Sequence, residues 1–542
     1  MTSDRAVLSP AMPPVGQGDT PPALYEALPD ADLVRTDARL HPSRPFHWLA
    51  RPGDTLMLHV WTPAADGVVS GRLTAWDWRN RPVWTQRVPA RSLQSIPFYS
   101  AHRGAWMITL DGLRADQSTA WRMTRSVAFA PDQRRLQSIW RTMEFQVGSC
   151  CFPDRQRWPT SYGPGCPDDM DPELAWRLDA DLMACSGLGL TRIDLLASDR
   201  AEDGYVNTRR MDEITEYYRR QGLRLLLQIW GPGEVLPHYK AEQPAWRYPR
   251  ALQPLRTHVR TGVRRYARLC HAVEVWNEPD NLDFWLGTVE EYGIQTRAVL
   301  EEIARTAPRA ETWVSGFCRM KPEWTAPMMR EIAHRAHGVS YHAHGDRAQL
   351  RAVRDAIRRD LETAGWRDAL LHNTEMGWAC WRLDQDRMQA ATGIQKLLDC
   401  WASGDRSAWL YCSRSYVGPR LATDTESDWG FVDYTFCPRF AWSALGAFLH
   451  VMAGARYVRT LDLPEPLHAL QFRRGDEAIM AVFHTEGERP TTITGRWRSA
   501  SVIDPMGNTS TSTGAGRIQF LADALPSYLV LRGLTQDPPL IS

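Results

Sequence analysis

Lysine is almost missing from this chain: Lys240, Lys321 and Lys396 are three of its 64 cations. Against 63 acids the formal charge is +1. No excess of either sign is available to hold a nucleic acid or an anionic membrane surface, and the dominance of arginine is read as genomic base composition rather than phosphate recognition. No stretch of about 18 apolar residues occurs. Residues 1–30 lack both a basic start and an apolar run of roughly 7 to 15 residues. The expectation is a soluble, cytoplasmic protein without an export leader. Cysteine is missing from both ends, since all ten lie between Cys150 and Cys437, and their spacing fits no zinc pattern; they are read as reduced, buried thiols. No metal and no cofactor is expected. Tryptophan, at 24 residues, is abundant beyond what a core of this size demands.

The 542 residues exceed what one core holds. Residues 1–45, rich in Pro, Ala and Asp, read as a loosely ordered N-terminal arm. Over 46–135 short alternating runs recur between turn signals, as in Thr55–Trp61, Gly71–Trp76 and Gly104–Leu110, which predicts an N-terminal β-sandwich. Its tryptophans are expected to pack against the following domain or to touch glycan. From 136 to 455 the pattern becomes strand, helix, strand, helix. Eight strands can be placed, near Phe145–Gly148, Leu190–Leu196, Leu223–Trp230, Ala272–Trp276, Thr312–Ser315, Gly338–His342, Ala369–His372 and Ser407–Tyr411. Eight parallel strands close a (β/α)8 TIM barrel. Alternation returns over 456–542 as a C-terminal β-sandwich. The fold class is therefore α/β, with a barrel between two sandwiches.

Two of the barrel strands carry acids at their tips. Glu278 follows Glu274-Val-Trp-Asn277 at the end of the fourth, and Glu375 follows Leu371-His-Asn-Thr374 at the end of the seventh. Barrel enzymes place chemistry at this face. Two facing carboxyls are what acetal hydrolysis requires, one to protonate the leaving oxygen and one opposite it.

In these motifs the sequence resembles glycoside hydrolase clan A, most closely family 39 and its relatives. The resemblance also covers Gly430-Phe-Val-Asp433, Pro438-Arg-Phe-Ala441 and Asp504-Pro-Met-Gly-Asn508. It implies that Glu278 is the acid/base, that Glu375 is the nucleophile, and that Arg192 keeps Glu375 charged through a bidentate contact, where the alternative is a rim ion pair. Asn277 would hold the sugar 2-hydroxyl or else cap its loop. His342 resembles the clan's histidine beside the two carboxyls, and His344 shares its face by the two-residue period. Trp378, Trp230, Trp285 and Trp409 lie near strand ends, where an indole can stack on a sugar; Trp378 is the favoured subsite. The implied partner is a carbohydrate, cleaved with retention. Two rivals stand beside this reading: a metal-dependent barrel hydrolase using His342 and His344, and a carbohydrate-binding scaffold without turnover.

Overall fold

The computed structural model describes residues 6–8, 38–43, 47–153, 172–198, 200–229, 252–282, 284–380, 385–415, 429–433, 435–512, 516–534 and 539–541. At its centre eight strands pair in parallel: β1 (Gln146–Cys150), β2 (Leu190–Asp194), β3 (Arg224–Ile229), β4 (Cys270–Val275), β5 (Thr312–Phe317), β6 (Gly338–His342), β7 (Leu370–Met376) and β8 (Ser407–Leu410). The sheet closes where β1 meets β8, from Gln146 opposite Ser407 to Ser149 opposite Leu410. This is the predicted TIM barrel. Its strands are rich in buried apolar residues because both faces are covered, by helices outside and by side chains inside, and polar residues such as Arg192, Gln228 and Glu274 interrupt them.

Among the described residues eight helices wrap it: α1 (Pro172–Ser186), α2 (Thr208–Arg220), α3 (Leu252–Tyr266), α4 (Val289–Thr306), α5 (Pro322–Ile332), α6 (Arg347–Thr363), α7 (Gln385–Ala402) and α8 (Phe440–Met452). Local chemistry sets their ends. Asn207 and Asp346 cap α2 and α6 through their side chains, Thr288 and Glu291 form a reciprocal capping box on α4, and Pro322 opens α5. Beyond α2, Gly222 adopts a φ of +78°, the left-handed exit that glycine accepts without a Cβ penalty. The expected capping of α1 by Asp171 lies outside the described residues. No helix among the described residues is long and apolar enough to cross a membrane.

Before the barrel, a four-stranded sheet (Ala6–Leu8, Leu93–Ser100, Thr55–Trp61, Arg39–Pro42) faces a five-stranded one (Leu49–Ala50, Thr119–Phe129, Gly104–Arg114, Val68–Trp76, Pro82–Pro89). Two of these strands fall where composition pointed to a loose arm. Arg39–Pro42 pairs antiparallel with Thr55–Trp61 and buries Leu40 and Pro42; four alternating residues are too few to stand out from Pro- and Asp-rich surroundings. Trp76, Trp78, Trp106 and Trp121 are all buried, so they serve packing. After the barrel come a six-stranded and a three-stranded sheet, which enclose their own core of Met480, Val482, Ile493, Phe520 and Leu529.

Candidate active site

The barrel interior changes character two residues at a time. Leu190, Leu226 and Ala272 join Trp313 and Trp409 in an apolar floor. Gly148 on β1 makes room for it, since a Cβ there would lie 2.2 Å from the Trp409 ring. Successive inward positions on a strand are two apart, so the next layer on β2, β3 and β4 is Arg192, Gln228 and Glu274, all buried. The polar layer thus sits directly on a dry floor.

Arg192 organises it. Its Nε donates to Glu274 Oε2 at 2.5 Å, its Nη1 to Glu375 Oε1, and its Nη2 to Asn277 Oδ1 at 2.8 Å. The expected bidentate grip on Glu375 is corrected: Glu274 and Asn277 arrive from the β4 side and take the other two directions of the fork. Thr374 donates its hydroxyl to Glu274 Oε1 at 2.7 Å, and Gln228 donates to Asn277 Oδ1 at 2.9 Å. With its carbonyl oxygen twice occupied, the Asn277 amide group has no partner among the described residues and is oriented to donate. Burial opposes ionisation of Glu375, but His342 and Arg192, followed by His344, outweigh it and hold that carboxyl well below the usual range.

Glu278 does not end a strand. β4 stops at Val275, and the chain leaves through two left-handed residues, Trp276 at φ +67° and Glu278 at φ +45°. Such a backbone in non-glycine residues stores strain of about 1–3 kcal/mol each and clusters at functional sites. Trp276 is held by a bond from its indole to the Thr296 hydroxyl at 3.0 Å. Glu278 Oε1 lies 2.7 Å from His342 Nδ1, and its Oε2 accepts from Asn281 at 2.8 Å. His342 Nδ1 is also 3.5 Å from Glu375 Oε2, and His344 Nε2 is 3.6 Å from the same oxygen. Burial works against a proton on His342, and the charges of Glu375 and Glu278 overcome it, so its pKa is raised. The structure brings Arg192, Asn277, Glu278, His342, His344 and Glu375 into one cluster, buried except for the half-buried His344.

Single atoms of Glu278, His344 and Glu375 all lie within 4.8 Å of one another, a group able to hold a cation. His342 is not part of it, because its Nδ1 turns to Glu278. Of the His-x-His pair proposed for the metal rival, only His344 therefore belongs to this group.

Neither the models of protein families nor the curated proteins match this sequence. Among solved structures, a family 39 glycoside hydrolase from the gut symbiont Bacteroides cellulosilyticus WH2 superposes with a TM-score of 0.63 at 14% identity, over 91% of this chain and 100% of that one. A family 39 β-xylosidase from Caulobacter crescentus gives 0.50 at 13% identity, over 72% of this chain and 96% of that one. The chain shares its fold with these family 39 glycoside hydrolases. At these identities the likeness is one of fold.

The tryptophans sort by burial. Trp285 and Trp409 are fully buried, Trp285 between Trp276 and Tyr292 and Trp409 in the floor, and neither offers a face to a ligand. Trp230 lies outside the described residues. Trp378 is half-buried just beyond β7, its carbonyl accepting from Gln389. Sequence reading passed over Trp429 and Tyr411, whose rings lie 4.8 and 5.4 Å from that of His344. It also passed over Glu274, although an acid inside the run Ala272-Val-Glu-Val275 is an anomaly that a buried strand tolerates only with a partner.

Proposed function

We propose that this chain is a retaining β-glycoside hydrolase that cleaves oligo- or polysaccharides by double displacement, with Glu278 as acid/base and Glu375 as nucleophile. The observation that carries the reading is the asymmetry of the two acids. Glu375 is kept ionised by Arg192, His342 and His344, whereas Glu278 faces it across a gap of less than 4.8 Å and shares a hydrogen bond with His342. Carboxyls about 5–5.5 Å apart leave no place for a water between acid and sugar, in contrast to the roughly 6.5–9.5 Å of inverting enzymes.

In this reading a sugar enters with its anomeric carbon over Glu375. The proton between Glu278 and His342 is delivered through Glu278 to the leaving oxygen while Glu375 attacks, forming a glycosyl ester. Water then opens that ester with Glu278 as base. The free amide N–H of Asn277 would donate to the 2-hydroxyl, a bond that strengthens as positive charge develops on the ring. The half-buried Trp378 and Trp429, the latter beside His344, would supply flat faces to the sugar.

A panel of aryl β-glycosides tests this. Glu375→Gln is expected to remove turnover of every substrate that the native enzyme cleaves. Glu278→Ala is expected to cost about 10²–10⁴-fold with poor leaving groups and far less with those that depart without a proton. An equal loss with both kinds of leaving group would reject the acid/base assignment. A native protein inert to the whole panel that still binds glycans would favour the scaffold.

A further inference from the structure

One of the chain's three lysines is fully buried. Lys396 lies on α7, and its ammonium donates to the backbone carbonyls of Ala343 at 2.6 Å, Gly345 at 3.1 Å and Gly377 at 3.5 Å. Among the described residues no carboxylate touches it. The acidic groups that act on it are the Cys400 thiol, one turn along the helix, and then Asp346 and Asp399. Asp346 is occupied by the Gln349 amide, and Asp399 by both ends of the Arg347 fork. Burial pulls the lysine down to about 7, those three groups only partly opposing it. An ammonium without a counter-ion is a costly thing to bury, and an apolar chain of the same length would fill the space without that cost.

The three carbonyls say what the charge does. Ala343 sits between His342 and His344, Gly345 follows them, and Gly377 is two residues past Glu375. Here β6 and β7 leave the barrel, already joined by the bond from the Ala343 amide to the Glu375 carbonyl at 2.9 Å. Three converging carbonyls match the three donors of an ammonium; the planar fork of arginine, which this chain uses nearly everywhere else, does not match them. We propose that Lys396 is a positioning residue, a three-point clamp behind the active site that fixes the β6 and β7 exits and thereby the distances among His342, His344 and Glu375. Its catalytic consequence rests on the glycosidase reading above; the clamp itself does not.

The experiment pairs kinetics with hydrogen–deuterium exchange on the full chain. Lys396→Met keeps an unbranched chain, one atom shorter, and removes all three donors. With a good-leaving-group aryl β-glycoside, kcat is expected to fall about 100-fold, the order that a displacement of about 1 Å costs, with KM changed less than about threefold. Amide exchange is expected to rise in peptides covering 338–346 and 370–378 and to stay at the native level in those from β1 to β4. If Lys396→Met does not accumulate folded, Lys396→Gln, which keeps two donors, takes the same measurements. A folded variant with native kcat overturns the positioning role, and so does exchange raised evenly through the barrel. A native enzyme inert to all substrates sinks the glycosidase reading instead. Exchange then decides the clamp alone: a local rise upholds it and no change rejects it.

Discussion

Arg192 meets three acceptors from two strand ends, and without it Glu274 and Glu375 would be buried acids that have lost their guanidinium counter-charge. Removing one partner of a buried ionic network leaves its charges uncompensated, at a cost of about 3–5 kcal/mol. Arg192→Met is expected to lose stability of that order by urea unfolding together with all activity. Arg192→Lys is expected to recover little of either, because one ammonium cannot reach Glu274, Glu375 and Asn277 at once. Glu375 carries a pH signature of defined sign. Its folded pKa lies below the ordinary 4.5, so its contribution to stability is present above that value and is lost as pH falls through the folded one. The stability of the native protein should therefore drop with acid more steeply than that of Glu375→Gln. Parallel curves in thermal unfolding as pH falls below about 4.5 would contradict this. The cluster of Glu278, His344 and Glu375 gives a separate test: the two-carboxylate mechanism predicts unchanged activity after exhaustive chelation, and loss restored by a divalent ion would contradict it.

At the level of elements, the eight strands were legible because a parallel strand covered on both faces is a short apolar run, and eight such runs with helices between them admit few other folds. The tips were less so. Trp276 and Glu278 adopt left-handed conformations that local sequence does not announce, so the acid was assigned to the end of β4 when it lies three residues beyond. The fork of Arg192 was similarly opaque: Glu274, Thr374 and Gln228 come together only once β2, β3, β4 and β7 close, and no spacing along the chain encodes that height. Gly148 gives the barrel's packing a direct test. Gly148→Ala drives a methyl into the Trp409 ring at 2.2 Å with only the floor residues to absorb it, and overpacking of this kind costs about 1–3 kcal/mol. A midpoint unchanged in denaturant would mean that the floor is looser than described.

Across the whole molecule, one apolar core runs from Leu58 and Phe98 of the first sandwich through the barrel to Met506 and Leu525 of the last. Polar contacts lock the same joints. Arg103 and Asn508 exchange two hydrogen bonds of 2.9 Å, Arg79 and Arg81 both pair with Glu488, and Ser126 donates to the Pro438 carbonyl. Asn508→Ala would orphan the Arg103 backbone amide and carbonyl, at about 1–3 kcal/mol, and calorimetry should show one cooperative transition moved to lower temperature. A split transition would mean that the sandwiches fold apart from the barrel. The architecture thus holds the β4 and β7 tips at a fixed separation, and that separation is the central claim. Proton NMR of the first product released from an aryl β-glycoside measures its consequence most directly: the β-anomer must appear first and mutarotate later, and an α-anomer as first product would contradict the double displacement between Glu278 and Glu375.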